Sequence, residues 1–402
     1  MSNTQTKNVP ELRFPGFEGE YSLDIFGNLA TNKSEKFNPQ NENASIDIEL
    51  DCIEQNTGRL IKIYNSKEFS SQKNKFNPQN VLYGKLRPYL NKYYFTKKSG
   101  VCSSEIWVLK STKEDKLLNL FLYYFIQTKR YSDVASKSAG SKMPRADWGL
   151  IENIRVYFPE LCEQQKIGQF FSKLDRQIEL EEQKLELLQQ QKKGYMQKIF
   201  SQELRFKDEN GNDYPVWEEK QLGELSQIVR GASPRPIKDP KWFNKESDIG
   251  WLRISDVTNQ NGKIYHLEQK LSIEGQEKTR VLVTTHLLLS IAASIGKPVM
   301  NFVKTGVHDG FLIFLNPKFN LFFMYYWLEY FKDKWSKYGQ PGSQVNLNTE
   351  IVKSQTLNMP SNHEQEKVGQ FFNRNEKLIE LQQEKIMYFK RRKQVLLQKM
   401  FI

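Results

Sequence analysis

Four segments of the chain are rich in basic, amide or aromatic side chains and also contain the small residues that form loops. They cover residues 83–92, 138–148, 230–238 and 339–348. Lysine and arginine can neutralise phosphates, whereas arginine, glutamine, asparagine and serine can hydrogen-bond to base edges in a DNA groove. The chemistry that these residue types offer is therefore the binding and reading of double-stranded DNA.

The candidate DNA-binding residues are the cations, amides, one serine and one tyrosine of these segments, with one lysine from a Ser-Ile-Gly-Lys-Pro string. They are Lys85, Arg87, Tyr89, Lys92, Lys142 and Arg145 in the first half, and Arg230, Arg235, Lys238, Lys297, Ser343, Gln344 and Asn346 in the second. Glycine, proline, serine and asparagine are also ordinary turn residues, so a single segment has a plain structural interpretation. Segments 138–148 and 339–348 stand at the same place relative to the helices that follow them, and this recurrence favours the functional interpretation.

Motifs for catalysis are missing from the sequence. No Gly-x-x-x-x-Gly-Lys-Ser/Thr phosphate loop occurs, no Gly-x-Gly-x-x-Gly turn follows a strand, and the Asn-Pro-Pro-Tyr string of base-flipping adenine methyltransferases is lacking. The four histidines stand apart, and no cysteine or histidine pair has the spacing of zinc ligands. We therefore predict no catalytic residue, no metal and no cofactor in this chain.

An internal repeat identifies the elements that must position these segments. Residues 163–171, Glu-Gln-Gln-Lys-Ile-Gly-Gln-Phe-Phe, return 201 positions later as residues 364–372, Glu-Gln-Glu-Lys-Val-Gly-Gln-Phe-Phe. The alignment continues without a gap to residues 197–200 and 398–401, and a proline precedes both copies. A period this long indicates two similar halves and not a solenoid of short repeats.

Both copies are predicted to be long helices, because their apolar residues recur at alternating steps of four and three, as in a coiled-coil seam. We expect the two helices to pair antiparallel; the alternatives are that each packs on its own globular domain or on another chain. Polar residues interrupt the seam at matching places, Glu181 with Gln382 and Lys192 with Lys393, and such residues can fix register. The residues predicted to pair the helices are Phe171, Leu174, Ile178, Leu185, Leu188, Phe372, Ile379, Ile386, Phe389 and Leu396.

The segments outside the helices are predicted to mix α and β structure. Strands are expected at 47–50, 106–109, 251–254, 281–283 and 287–291, and one helix per half at 117–128 and 321–332. The aromatic stripes of these two helices could stack on bases, but their helical spacing favours a place in the core. The expected fold is α+β with pseudo-two-fold symmetry, and the expected boundaries are a first domain at 1–158, a central helix at 159–202, a second domain at 203–358 and a C-terminal helix at 359–402.

Composition narrows the kind of partner and the compartment. Lysine and arginine outnumber aspartate and glutamate by 59 to 47 among 402 residues, and the net charge of +12 favours a polyanionic partner, nucleic acid before a membrane surface. Three scattered cysteines favour a reducing compartment over a disulfide framework. No apolar signal segment or membrane-length run is present, so a cytoplasmic protein without a membrane partner is expected.

With these features the chain resembles the specificity (S) subunits of type I restriction-modification systems. The resemblance covers nearly the whole chain: two variable domains, each followed by a helix that opens Glu-Gln-x-Lys-Ile/Val-Gly-x-Phe-Phe and ends in Lys-x-Phe. Residues 83–90 and 102–109 in the first domain, and 250–257 and 294–298 in the second, support it.

The resemblance implies two target recognition domains, each reading one half-site of a bipartite asymmetric DNA target, with the paired helices as a ruler between them. The implied partners are double-stranded DNA, two methyltransferase subunits and two ATP-dependent restriction-translocase subunits. S-adenosylmethionine, ATP and magnesium would belong to these partners, and the chain itself would not be an enzyme. Helix faces at Gln169-Phe170 and Gln370-Phe371 would dock the methyltransferase copies, and the basic run 390–393 would touch spacer DNA or be simply solvated.

Two other classes of function stay open from the sequence. A coiled-coil interaction scaffold without sequence readout would keep the helices, but would not need basic polar loops at matched positions. A stand-alone nuclease or methyltransferase would need the motifs that are missing.

Overall fold

The computed structural model describes residues 8–68, 70–137, 143–292, 295–338 and 347–402. The chain divides into two compact units, a first unit of residues 1–182 with 384–402 and a second unit of residues 183–383. Each unit thus holds one globular domain, the first half of the long helix that follows this domain, and the second half of the other long helix.

In the first unit, short strands form two four-stranded sheets and one strand pair. The strands are β1 Ser22–Ile25, β2 Ala30–Thr31, β3 Lys36–Phe37, β4 Asp47–Ile48, β5 Lys73–Phe76, β6 Val81–Gly84, β7 Tyr93–Phe95, β8 Gly100–Cys102, β9 Ile106–Ser111 and β10 Arg155–Phe158. The helices are α1 Phe26–Leu29, α2 Asn119–Phe125, α3 Lys129–Ala135, α4 Trp148–Ile151 and α5 Leu161–Phe200. The sheet orders are β2-β9-β6-β7 and β3-β5-β8-β4, in which only the β4–β8 pair is parallel within the described residues, and β1 pairs antiparallel with β10.

In the second unit, a five-stranded sheet and a three-stranded sheet replace the two four-stranded ones. The strands are β11 Glu218–Gln221, β12 Gln227–Arg230, β13 Gly250–Leu252, β14 Lys263–Ile264, β15 Arg280–Leu282, β16 Leu287–Ser290, β17 Pro298–Asn301, β18 Thr305–Val307, β19 Phe311–Leu315 and β20 Thr356–Met359. The helices are α6 Leu222–Leu225, α7 Ile254–Asn259, α8 Ile273–Glu277, α9 Leu321–Phe331, α10 Thr349–Lys353 and α11 Asn362–Met400. The sheet orders are β12-β19-β16-β17-β14 and β13-β18-β15, and β11 pairs with β20 as β1 does with β10.

The mixed α and β character predicted for both domains is confirmed, and most predicted elements are present. Strands predicted at 106–109, 281–283 and 287–291 agree with β9, β15 and β16 to within two residues. The strand predicted at 47–50 is wrong beyond residue 48. The backbone N of Cys52 donates to Glu49 O at 3.0 Å, which turns the chain into a short 3-10 helix.

The strand predicted at 251–254 is also too long. It ends at Leu252, because the carboxylate of Asp256 accepts a hydrogen bond from the backbone N of Arg253 at 2.9 Å and thereby caps α7. This local hydrogen bond outweighs the strand preference of Ile254, which becomes the first residue of the helix.

The predicted helices 117–128 and 321–332 correspond to α2 and α9. The first is shorter than predicted, because Thr128 Oγ1 donates to Phe125 O at 2.7 Å and the chain then starts α3. Their aromatic side chains form the centre of the two cores, so the prediction of a core role is confirmed for Phe121, Tyr124 and Phe125, and for Phe323, Tyr326 and Trp327.

A buried glutamate at the start of each long helix ties the helix to the segment that opens its own domain. Glu163 accepts from Arg13 Nε and Nη2 at 2.8 and 2.7 Å. Glu364 accepts from the same two nitrogens of Arg205 at 3.2 and 2.7 Å. Both arginines stand in a Glu-Leu-Arg-Phe string, residues 11–14 and 203–206. A buried charge needs such a partner, so the repeated glutamate and the arginine of each string are structural residues.

The glutamine that follows is equally structural. Gln164 accepts from the backbone N of Leu118 at 2.9 Å and donates to Pro159 O at 2.8 Å. Gln365 accepts from the backbone N of Asn320 at 2.9 Å and donates to Pro360 O at 2.8 Å. Both amides thus join the start of a long helix to the start of the aromatic helix of the same domain.

The long helices run antiparallel to each other within each unit, as predicted. In the first unit, the ring centroids of Phe171 and Phe401 are 6.2 Å apart, and Glu182 forms an ion pair with Lys390 at 2.7 Å. In the second unit, Phe200 and Phe372 are 5.8 Å apart, and Lys192 Nζ lies 3.7 Å from Glu376. In both units, residues further along α5 contact residues earlier in the C-terminal segment of the chain, as antiparallel helices require.

The same helices also pack on their own domains. Packing on the own domain, which was an alternative to helix pairing, therefore occurs in addition to the pairing. Phe171 contacts Tyr124 at 5.2 Å and Phe372 contacts Tyr326 at 5.3 Å between ring centroids. Among the predicted pairing residues, Phe171, Leu174, Ile178, Phe372 and Ile386 are buried, whereas Leu185, Leu188, Ile379, Phe389 and Leu396 are half-buried.

The polar seam position Lys192 belongs to an ionic cluster in the second unit whose centre, Glu376, is buried. Its ammonium lies 3.1 Å from Glu329 and 3.7 Å from Glu376, and Lys263 Nζ lies 2.7 Å from Glu376. The hydroxyl of Tyr326 donates to the same carboxylate at 2.6 Å. Burial opposes the charge of Glu376, but the two lysines outweigh burial and lower the pKa of its carboxyl.

The equivalent position, Lys393, forms the smaller counterpart in the first unit. Its ammonium lies 2.6 Å from Asp175, and Gln127 takes the place that Glu329 has in the second unit, accepting from Lys393 at 2.8 Å. The hydroxyl of Tyr124 donates to Asp175 at 3.0 Å. Each unit therefore fixes the register of its helix segments with a lysine, a carboxylate and a tyrosine.

The two clusters predict unequal sensitivity to loss of the carboxylate. Glu376→Ala leaves the buried Lys263 without its carboxylate and removes one of the two acidic partners of the half-buried Lys192, so the free energy of unfolding should fall by about 3–5 kcal/mol. Asp175→Ala should cost less, because the Asp175 side chain is 25% exposed and water can replace it. Urea titration followed by circular dichroism measures both. Glu380→Ala, an exposed acid on α11, is the control, and equal stability of the Glu376 and Glu380 variants would contradict the account.

Candidate nucleic-acid interface

In the first domain, two of the predicted segments run side by side. Lys85 N donates to Glu105 O at 3.0 Å, Ala146 N donates to Lys85 O at 2.8 Å, and Arg87 N donates to Pro144 O at 2.7 Å. The end of β6 is thereby fixed beside the residues that precede α4. The structure thus brings the backbones of Lys85, Arg87 and Arg145 side by side in the first unit.

Arg145 is held in one orientation. Its Nε and Nη2 donate to the two oxygens of Glu105 at 3.0 and 3.1 Å, while half of its side chain remains exposed. The hydrogen bond from Arg145 lowers the pKa of the Glu105 carboxyl, with a smaller contribution from the charge of Lys85. The guanidinium is therefore both oriented and accessible.

The neighbouring turn exposes an aromatic side chain and a cation. Arg87 has a left-handed backbone, with a φ of 52°, and starts the 3-10 turn Pro88–Leu90. Tyr89 in this turn is 56% exposed. Lys92 has another role, because its ammonium donates to Leu50 O at 2.6 Å and so supports the turn from within the domain.

Four predicted site residues cannot be placed on either surface. Lys142, Ser343, Gln344 and Asn346 lie outside the described residues. Their place in the interface stays a prediction.

In the second domain, Asp309 is the centre of the basic group. Arg235 Nη2 lies 2.7 Å from its carboxylate, Ser233 Oγ donates to it at 2.9 Å, and Arg230 Nε donates to its backbone O at 2.6 Å. Burial opposes the charge of Asp309, but the Ser233 hydrogen bond, His308 and the arginine charges outweigh burial and lower its pKa. The structure thus brings Arg230 and Arg235 together, as predicted.

A cleft of about 900 Å³ opens next to this group. Its wall includes the predicted Lys238 together with His308, which precedes Asp309. Cations and two aromatic side chains that were not among the candidates also line it: Lys245, Arg253, Lys270, Phe243 and Trp251. The sequence signal that could have found Arg253 is an aspartate three residues later, at the start of a helix.

Lys297 lies away from this cleft. Its ammonium points at the C-terminal end of α7, 3.4 Å from Val257 O and 3.3 Å from Asn261 Oδ1, whereas Arg253 precedes the N-terminal end. Burial lowers the pKa of Lys297, and the charge of Lys332 adds to the effect. The structure therefore does not join Lys297 to Arg230, Arg235 and Lys238.

The predicted docking residues on the helices are only partly accessible. Gln169 and Gln370 are exposed, but Phe170 packs against Phe14 at 5.5 Å, and Phe371 packs against the domain in the same way. In the basic run 390–393, Lys390 pairs with α5 and Lys393 is buried, so the run is not a uniformly solvated face.

A metal site and a membrane-spanning helix each set requirements that can be compared with the described residues. No group of three or more histidine, cysteine, aspartate or glutamate side chains among them is arranged to hold a metal ion. None of the helices in this part of the chain has the length and apolar character that crossing a membrane requires.

Comparison with known proteins finds the same protein family in both halves of the chain. The sequence model of the family described as type I restriction modification DNA specificity domain matches residues 22–190 and 215–387. The specificity subunit of the type I restriction enzyme MjaVIII from Methanocaldococcus jannaschii is 25% identical over 313 residues, which cover 71% of this chain and 70% of that subunit.

Two solved structures share the fold. A chain from a structure described as the basis of complex assembly and conformational transition of the type I R-M system superposes with a TM-score of 0.61 at 17% identity, covering 94% of this chain and 97% of that one. The S subunit of a type I restriction-modification system from M. genitalium gives 0.57 at 15% identity, covering 98% and 99%. One family match falls in each repeated half, and the chain therefore belongs to the family of type I restriction-modification specificity subunits.

Proposed function

We propose that this chain is the non-catalytic targeting subunit of a type I complex, and that each of its domains reads one half-site of a bipartite, asymmetric DNA target. The methyltransferase and the ATP-dependent nuclease subunits would be directed to that target by the chain. S-adenosylmethionine, ATP and magnesium would be bound by these partner subunits.

One observation carries the proposal: the two units repeat the same buried contacts but carry different exposed cations. The Glu163–Arg13 and Glu364–Arg205 pairs recur in detail. The exposed groups differ, with Arg145 beside Glu105 in one domain and a cleft next to Asp309 in the other. Equal scaffolds with unequal basic surfaces are suited to reading two different sequences in one DNA molecule.

Recruitment of identical partner copies is supported by the repeat itself. A surface that occurs twice in one chain can bind two copies of the same partner, and the long helices are the part of the chain that repeats in sequence. The exposed side chains of Gln169 and Gln370 lie on these helices at equivalent positions, and we include them in the surface that docks the methyltransferase subunits.

The proposal is tested by mapping DNA methylation after co-expression of this chain with its methyltransferase subunit in an unmethylated host. Adenine methylation within one asymmetric, two-part motif is the expected result. A stable complex on gel filtration without any new methylation would contradict sequence readout and favour a coiled-coil interaction scaffold.

The purified chain should bind duplex DNA weakly and with a strong salt dependence. Lys85 and Arg87 are accessible cations that can each neutralise one phosphate. Replacing both by alanine should therefore reduce the slope of log K against log salt concentration by about two. Fluorescence anisotropy at several salt concentrations measures the slope.

The matched control is Lys97→Ala with Lys98→Ala, two exposed lysines in the same unit that follow β7 and not the basic turn. This variant should keep the original slope. Metal-dependent cleavage of DNA, or methyl transfer, by the chain alone would refute the non-catalytic role.

A further inference from the structure

Four arginines in the described part of the chain hold a carboxylate side-on, with Nε and Nη2 donating to its two oxygens. Two of these clamps are Arg13 with Glu163 and Arg205 with Glu364, at the starts of the long helices. The third is Arg145 with Glu105. The fourth is Arg253 with Asp256, at 3.2 and 3.0 Å.

The clamps differ in what the rest of the guanidinium contacts. Arg13 Nη1 donates to Gly19 O at 2.6 Å, and Arg205 Nη2 also donates to Pro215 O at 2.7 Å. These two side chains are 14% and 23% exposed, which agrees with a structural role.

Arg145 and Arg253 have no such internal acceptor among the described residues. Their side chains are 50% and 37% exposed. On its outer side, Arg253 Nη2 forms a looser ion pair with Glu268, at 3.6 Å, and the Glu268 side chain is 78% exposed. The outer edge of the Arg145 guanidinium, formed by Nη1 and the second hydrogen of Nη2, thus has no partner among the described residues, and that of Arg253 faces only the exposed carboxylate of Glu268, which a base edge can displace.

We propose that Arg145 and Arg253 are the base-reading residues of the two domains, and that each recognises a guanine through this outer edge. The inference rests on the proposed function and names a residue for each half-site. The planar pair of N–H groups matches O6 and N7 of guanine in the major groove, which is the commonest specific contact of arginine with DNA.

The carboxylate beside each guanidinium favours a base over a phosphate as its ligand. A carboxylate about 3 Å from the guanidinium cancels much of its attraction for a phosphate and would itself repel one. It also fixes the orientation of the fork before DNA arrives, so that less side-chain entropy is lost on binding. A clamped, accessible arginine is therefore better suited to a neutral base edge.

The surroundings supply the phosphate contacts separately. Lys85 and Arg87 lie beside Arg145, and neither has a carboxylate clamp in the described structure. Lys238, Lys245 and Lys270 line the cleft that contains Arg253. Each domain thus has one accessible arginine that a carboxylate clamps through two nitrogens, and other cations nearby that can follow the DNA backbone.

The test uses the complex of this chain with its methyltransferase subunit and duplexes that carry the mapped methylation motif. Each guanine of the motif is replaced in turn by adenine, in both half-sites. The wild-type complex should lose affinity by about 5- to 150-fold at one guanine in each half-site, since a good bidentate contact supplies that discrimination. If no guanine in a half-site affects the affinity of the wild-type complex, the inference is overturned for the domain that reads this half-site.

Arg145→Ala should abolish the preference for guanine at one position of one half-site, and Arg253→Ala should do so in the other half-site. Arg87→Ala and Lys245→Ala are the controls, which should weaken binding to all sequences equally and keep the guanine preference. Glu105→Gln should reduce the same preference as Arg145→Ala, because it loosens the clamp without removing the arginine.

Failure of the guanine assignment and failure of the proposed function would give different results. Equal loss for all sequences in Arg145→Ala and Arg253→Ala, with the guanine preference kept, would show phosphate contacts and overturn only the inference. Absence of any sequence preference in the wild-type complex would overturn the proposed function as well.

Discussion

The structure depends on the requirement that a buried charge has a partner. Glu163 and Glu364 are fully buried at the starts of the long helices, and each is neutralised by an arginine from the segment that opens its domain. Removing either partner would leave a charge in the core, at a cost of several kcal/mol. This constraint explains why the Glu-Gln and Glu-Leu-Arg-Phe strings occur twice while most of the domain sequence diverges.

The divergence is as informative as the repeat. Once each domain is tied to the helices by the same buried groups, its exposed loops can change without loss of the scaffold. The sheets already show this freedom, since two four-stranded sheets in the first unit correspond to a five-stranded and a three-stranded sheet in the second. We propose that this freedom is used to read a different DNA sequence with each domain.

Much of the architecture could be predicted from the sequence, because helix periodicity and the repeat are strong local signals. The antiparallel pairing and the core role of the aromatic helices are confirmed. Strand ends were less predictable, since a single hydrogen bond from Arg253 N to Asp256 converts the residues after Leu252 into a helix. Which basic residues belong to the candidate DNA-binding surface was least predictable from the sequence. Lys92 and Lys297 resemble other surface lysines in sequence, yet each donates to a backbone carbonyl, whereas the clamped Arg253 depends on tertiary placement next to the cleft.

We propose that each domain reads its own half-site and that the scaffold accepts either domain at either position. The most direct measurement is a methylation map made with a chain in which residues 203–359 are replaced by a second copy of residues 11–158, co-expressed with the methyltransferase subunit. We expect methylation at a symmetric two-part motif in which the half-site of the first domain occurs twice. Methylation at the original asymmetric motif would contradict the assignment of one half-site to each domain.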